Sequence, residues 1–181
     1  FALEKLVDQG AIVEKISPRL CYSEIAASIG DLINSEAFSF HGDDYQSPDF
    51  PTTKYVRDRI LAGANITRAQ REKILEHRKQ TQIKFFDDIA GFHAIITPTT
   101  PTTAIPVSTI QPSINVSHFT RPINFLGMCA LAVPIDIGSD GLPTGLQIAA
   151  RGGKEDIALH IGVEFEKIRG PFGKPQIYDK H

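Results

Sequence analysis

Serine, histidine, aspartate, cysteine and arginine are the residue types in this chain that could do chemistry, and their spacing decides how far each can be taken. Ser117-His118 and His41-Gly42-Asp43-Asp44 set hydroxyl, imidazole and carboxylate side by side. Those are the ingredients of nucleophilic catalysis, in which a base activates a hydroxyl and a third group orients the base. Neighbours in sequence say nothing about geometry, however, and no G-x-S-x-G elbow is present to present a serine on a sharp turn. The one pair of adjacent glycines, Gly152-Gly153, is followed by Lys154 and Glu155 with no serine beside it. Cys21 and Cys129 stand far apart in apolar surroundings and read as two buried thiols of a reducing compartment rather than a disulfide. No spacing of Cys and His fits a metal, so neither a metal nor another cofactor is expected.

Such side chains need elements to hold them. The 181 residues, 41% hydrophobic and 22% charged, suffice for one buried core, and a formal charge of -2 provides no field for nucleic acid or an anionic membrane. The densest cationic stretch, Arg68 to Lys84, is balanced by Glu72, Glu76, Asp87 and Asp88. No apolar run approaches the ~20 residues of a membrane span. Leu3, Leu6 and Val7 follow helical spacing from the first residues, so Phe1 reads as mid-helix rather than a natural start. Residues 11–16 read as a short strand, and residues 20–40 as a helix with Ile25, Ile29, Leu32 and Ile33 near one face. Residues 41–51, rich in Gly, Asp, Ser and Pro, read as a loop. A short helix spans residues 53–63. Thr67-Arg68-Ala69-Gln70 has capping-box form and opens a helix to about Ala90, with Leu75, Ile83 and Phe86 as its stripe and Gly91 to end it. His93 to Ile96 is a buried strand, stopped by Pro98-Thr99-Thr100-Pro101, and residues 101–116 form a long loop. Ala130 to Ile137 and Gly145 to Ala150 are apolar strands joined through Ser139-Asp140-Gly141. A last helix from Lys154 to Ile168 buries Ile157, Ile161, Phe165 and Ile168. The class is α/β, a mixed sheet covered by helices, with too few strands for more than part of a sheet.

That order of motifs resembles the C-terminal part of the amidase signature family. Arg59-Ile60-Leu61-Ala62-Gly63 matches its R-x-x-x-G segment, Pro98 to Pro101 its P-T-x-P turn, and Asn124 to Gly127 its Asn-x-x-Gly turn. Then follow a strand ending in Val133-Pro134 and the G-L-P-x-G-L-Q strand from Gly141 to Gln147. The similarity covers roughly Phe1 to Lys167, and residues 1–181 are expected to form the C-terminal portion of one such domain. His93 stands where the family usually has Asp, Cys129 where it usually has Pro, and Arg121 where it often has an apolar residue. Met128-Cys129-Ala130-Leu131 looks more like the branch with allophanate hydrolase and other small-amide amidases than the tRNA-dependent amidotransferase branch.

The resemblance implies hydrolysis of a carbon-nitrogen bond by a Lys and two Ser residues, one in a Gly-Gly-Ser-Ser-Gly-Gly-like loop whose amides receive the oxyanion. This chain contains no such loop, so its catalytic residues are none, and alone it is expected to be inert. In the resembling enzymes the segment before Asn-x-x-Gly is a short helical stretch that lines the substrate pocket; if residues 114–121 are helical here, Ile114, Ser117 and Arg121 share one face, and the planar fork of Arg121 matches a substrate carboxylate. That makes Ile114, Ser117, Arg121 and, with its motif, Arg59 the candidate substrate-binding residues. An outward Arg121 and a helix-surface ion pair for Arg59 are the plainer alternatives. The partners expected are a small carboxamide substrate and an N-terminal catalytic part of the same enzyme, with no nucleic acid and no membrane; a homodimer is a further option. The setting expected is cytoplasmic. Two other readings stay open: a portion of the A subunit of a tRNA-dependent amidotransferase, and a non-catalytic binding module or pseudoenzyme.

Overall fold

The computed structural model describes residues 1–109 and 116–173. They form two units, one comprising Pro18–Ala90 and the other Phe1–Ser17 with the chain from Gly91 onward.

The Pro18–Ala90 unit is helical. Helix α2 (Tyr22–Gln46) buries Ile25, Ile29 and Leu32, and α3 (Lys54–Ala62) starts at Thr53, whose hydroxyl accepts from the Val56 amide. Helix α4 (Arg68–Asp88) opens with the anticipated capping box: the Gln70 amide donates to Thr67 Oγ1 at 3.2 Å, and the Thr67 amide donates to Gln70 Oε1 at 2.8 Å. Gly63, the glycine of R-x-x-x-G, allows a close backbone approach, because a Cβ there would stand 2.0 Å from the Asn34 carbonyl oxygen.

Two expectations fail in this unit. The loop assigned to residues 41–51 begins late, since α2 continues to Gln46. Gly42 is buried against the Phe38 ring. Arg57 donates to the carbonyl oxygens of Tyr45, Ser47, Pro48 and Phe50, which satisfies the helix end that composition made implausible. In α4 the inward residues are Phe85 and, just beyond the helix, Ile89, whereas Leu75 and Ile83 are exposed. Polar His77 and Thr81 occupy the half-buried stripe leading to Phe85: Ser28 Oγ and His77 Nδ1 lie 3.1 Å apart, and the Thr81 hydroxyl donates to the His77 carbonyl. Polar residues on the inner face mask the apolar period.

The other unit is a three-stranded sheet in the order β1-β3-β2, formed by β1 (Ile95–Pro98), β2 (Cys129–Ile137) and β3 (Pro143–Ala150). The α/β class holds, while both pairings among the described strands are antiparallel where a mixed sheet was expected. Gly141, at φ +77°, provides the left-handed residue of the β2–β3 turn. One sheet face carries Val133, Leu146, Ile148 and Ala150, packed with Ala2 and Leu6 of α1 (Ala2–Asp8) and with Ala158 and Phe165 of α6 (Glu155–Arg169). Phe165 is fully buried, and burying such a ring is worth ~1.5–3 kcal/mol. Acidic Glu155 and Asp156 begin α6 and basic Lys167 and Arg169 end it, as the helix dipole favours. The expected strand at residues 11–16 is absent: its Ile12 is 88% exposed and no described strand pairs with it. Cys129 is half-buried, its thiol 3.3 Å from the Arg151 carbonyl, but Cys21 is exposed, contrary to the expected burial; both are free thiols.

Candidate functional site

The sequence motifs of the sheet unit converge on the far face of β3. Because side chains alternate along a strand, Gly145, Gln147 and Ala149 point away from the α1/α6 core. Gly145 faces Thr99 of the P-T-x-P turn: the Thr99 amide donates to the Gly145 carbonyl at 2.9 Å, and a Cβ on Gly145 would stand 2.8 Å from Thr99 Oγ1. That hydroxyl is buried without a hydrogen-bond partner. Gln147 is 3% exposed, the one buried polar side chain among the described residues. Its Nε2 donates to Thr97 Oγ1 at 3.0 Å and to the Phe119 carbonyl at 3.2 Å.

The loop after β1 is tied to the hairpin tip as well. Thr103 donates its hydroxyl to the Asp140 carboxylate, and the Leu142 amide donates to the same carboxylate at 3.1 Å. The Thr103 hydroxyl, and then the Leu142 amide, hold the Asp140 carboxyl below its ordinary value.

Helix α5 (Thr120–Leu126) follows Phe119 and ends at Gly127, at φ +68°, within the Asn-x-x-Gly turn. Its residues Ile123, Phe125 and Leu126 are buried. Of the four candidate substrate-binding residues, Ser117 and Arg121 come together: the Arg121 amide donates to the Ser117 carbonyl at 3.0 Å, so one helical turn joins them and both are half-buried. Ile114 lies outside the described residues. Arg59, in α3 of the helical unit, places its guanidinium 5.7 Å from the centre of the Tyr55 ring. No cluster of His, Cys, Asp and Glu suited to a metal occurs among the described residues. Nor is any described helix long and apolar enough to cross a membrane.

A cleft opens among the described residues of each unit. That of the sheet unit, about 720 Å³, is lined by Phe1, Leu3, Ile96, Thr97, Pro98 and Thr100, among others. It combines apolar walls with hydroxyls, as small-molecule pockets do. That of the helical unit, about 640 Å³, is lined by Arg19, Cys21, Glu24, His77, Gln80 and Lys84, among others. None of Ser117, Arg121 and Arg59 lines either cleft. At the rim of the second, Arg19 forks onto Asp87 and Asp88, which raises the guanidinium and lowers the Asp88 carboxyl from their ordinary values. Sequence reasoning missed Gln147 and Arg57. Gln147 could have been found as a polar residue in an apolar strand, whereas nothing in sequence distinguishes Arg57 from its neighbours.

The amidase family model matches residues 3–159. The A subunit of the glutamyl-tRNA(Gln) amidotransferase of Clostridium kluyveri (strain NBRC 12016) is 35% identical over 100 residues, which are 53% of this chain and 20% of that protein. A crystal structure of an amidase superposes with a TM-score of 0.82 at 24% identity, covering 93% of this chain and 40% of that one. A variant of Kluyveromyces lactis allophanate hydrolase gives 0.78 at 22% identity, covering 94% and 29%. The chain thus spans about a fifth of the curated relative's length, and at these identities the structural likenesses speak to the fold. Allophanate hydrolase and the amidotransferase subunit both stand among the matches.

Proposed function

The chain belongs to the amidase family, and we propose that it is part of an amidase that hydrolyses the carbon-nitrogen bond of a small carboxamide. The observation that carries this reading is the family match over residues 3–159, which takes in the P-T-x-P turn, α5 and the β2–β3 hairpin together. Residues outside this chain supply the Ser-Ser-Lys chemistry and the oxyanion donors. Within it, the segment Ser117–Arg121 forms a wall of the substrate pocket, and Arg121 receives a substrate carboxylate as a bidentate pair. Arg59, on α3, is the other candidate substrate-binding residue of this chain. Binding energy spent on such a group, remote from the scissile bond, orients the carbonyl toward the nucleophile.

A second reading is favoured by the 35% identity to the Clostridium kluyveri subunit: transfer of the released ammonia to a charged tRNA rather than its loss to water. The two readings share the amide-cleaving half-reaction. The test is ammonia release by the full-length protein from a panel of neutral and acidic carboxamides, glutamine included, with and without aminoacyl-tRNA. Release from small carboxamides, insensitive to tRNA, is the expected result. Release from glutamine that depends on tRNA would select the second reading. No release from any amide would refute both and leave a non-catalytic binding module. Residues 1–181 made alone are expected to release none.

A further inference from the structure

We infer that Gln147 is a positioning residue, which sets the substrate-binding segment Ser117–Arg121 on the sheet through its side-chain amide. This rests on the pocket role given to that segment above. An amide NH2 has two donor hydrogens, and in Gln147 both are committed. One goes to Thr97 Oγ1 on β1 and the other to the Phe119 carbonyl, two residues from both Ser117 and Arg121. The Thr97 hydroxyl, accepting from Gln147, must donate elsewhere, and it reaches the Pro98 carbonyl at 3.0 Å, at the start of the P-T-x-P turn. One side chain thereby fixes the turn after β1 and the chain entering α5 relative to each other.

Its surroundings make that tie firm. Gln147 sits on the central strand, registered with Thr97 on one side and Ala132 on the other, within a run from Leu146 to Ala150 that is buried throughout. In such a site a hydrogen bond is not exchanged for one to water, and an orphaned donor is costly, so the Phe119 carbonyl is held at one place. An apolar residue of equal length would fill the volume as well. A core-packing role therefore gives no reason for an amide here, whereas fixing a carbonyl gives one.

The test uses the full-length protein, wild type and Gln147→Met, which keeps length and volume and removes both donors. Backbone hydrogen exchange reads the position directly, and KM for an acidic carboxamide reads its consequence. The expected result is roughly tenfold faster exchange of the amides of Thr120, Arg121, Ile123 and Asn124, with α6 unchanged, and a KM raised roughly tenfold with kcat kept within about threefold. A residue that only stabilises the fold would lower the active fraction, and so the apparent kcat, at constant KM. Exchange within twofold of wild type overturns the proposal, and so does faster exchange at an unchanged KM. If the Met variant does not fold, Gln147→Leu, which also lacks both donors and buries no charge, takes its place. A wild-type protein that cleaves no carboxamide would sink the amidase reading, and the exchange measurement would still decide whether Gln147 holds the segment.

Discussion

Gly145 occupies a strand interior, where glycine is normally a liability, and its replacement by alanine tests how the two sheet motifs meet. Elsewhere Gly→Ala stabilises by ~0.4–1 kcal/mol, because the unfolded chain loses freedom. Gly145 is not among the glycines with positive φ, so its backbone places no obstacle in the way of alanine. The obstacle is Thr99: a new Cβ would stand 2.8 Å from its Oγ1 and 3.3 Å from its Cβ. Rotating the threonine moves the hydroxyl but not the Cβ, and the backbone bond from Thr99 to Gly145 prevents the strands from parting. Overpacking of this kind costs ~1–3 kcal/mol, which outweighs the entropic gain. Gly145→Ala should therefore destabilise by about 1–2 kcal/mol net, a fall in Tm of ~2–8 °C for a chain of this size. Thermal unfolding followed by circular dichroism measures it, in a cycle with Thr99→Ala. In the Thr99→Ala background the same substitution should be neutral or stabilising, which gives a coupling of ~1 kcal/mol or more. A higher Tm for Gly145→Ala alone, or additivity within ~0.5 kcal/mol, would refute the steric account.

Three further outcomes follow from particular contacts. Arg57→Met removes the donors to four carbonyls after α2 and should cost ~2–3 kcal/mol, with proteolysis newly admitted at residues 47–51; Arg57→Lys should recover little, since an ammonium cannot span the fork. The Thr103 hydroxyl, and then the Leu142 amide, hold the folded Asp140 carboxyl below the ordinary aspartate range, so its contribution is present at neutral pH and is lost as pH falls through the folded value. The Tm difference between wild type and Asp140→Asn should accordingly be present at pH 7 and shrink below about pH 4. For Arg121→Leu in the full-length protein, kcat/KM should fall ten- to a hundredfold on acidic carboxamides, which corresponds to ~1.5–3 kcal/mol, and far less on neutral ones. Equal loss on both classes would mark a folding defect.

What the sequence made legible was local. The Thr67–Gln70 box, the Gly141 turn and the α6 stripe, in which Phe165 is buried and Ile157, Ile161 and Ile168 are half-buried, all depend on residues within a few positions of one another. What it hid depended on distant partners. The end of α2 waits on Arg57, more than ten positions ahead of Tyr45, and the inner face of α4 accepts polar His77 because Ser28 on α2 is there to meet it. Residues 11–16 include the strand-favouring Ile12, Val13 and Ile16, yet a strand exists only where a neighbour takes its hydrogen bonds, and none of the described strands does. In the candidate site, helical spacing anticipated a helix over residues 114–121; among the described residues α5 begins at Thr120, with one hydrogen-bonded turn from Ser117 to Arg121 leading into it. The amide that holds that turn was not legible, because Gln147 lies far along the chain from Phe119.

The glycines of the motifs carry the same lesson to function. Gly63 lies under the Asn34 carbonyl, Gly145 against Thr99, and Gly162 against Leu131, where a Cβ would come within 2.3 Å of Cδ2. None of the three has positive φ, so each is there for close approach rather than for an unusual backbone. Two of these contacts fall within the motifs that carried the family resemblance, R-x-x-x-G and G-L-P-x-G-L-Q. Those motifs record how pieces of backbone are brought together, not which atoms react. The same sequence therefore makes the family recognisable through its scaffold, in which Gln147 joins the central strand to Thr97 and to the Phe119 carbonyl.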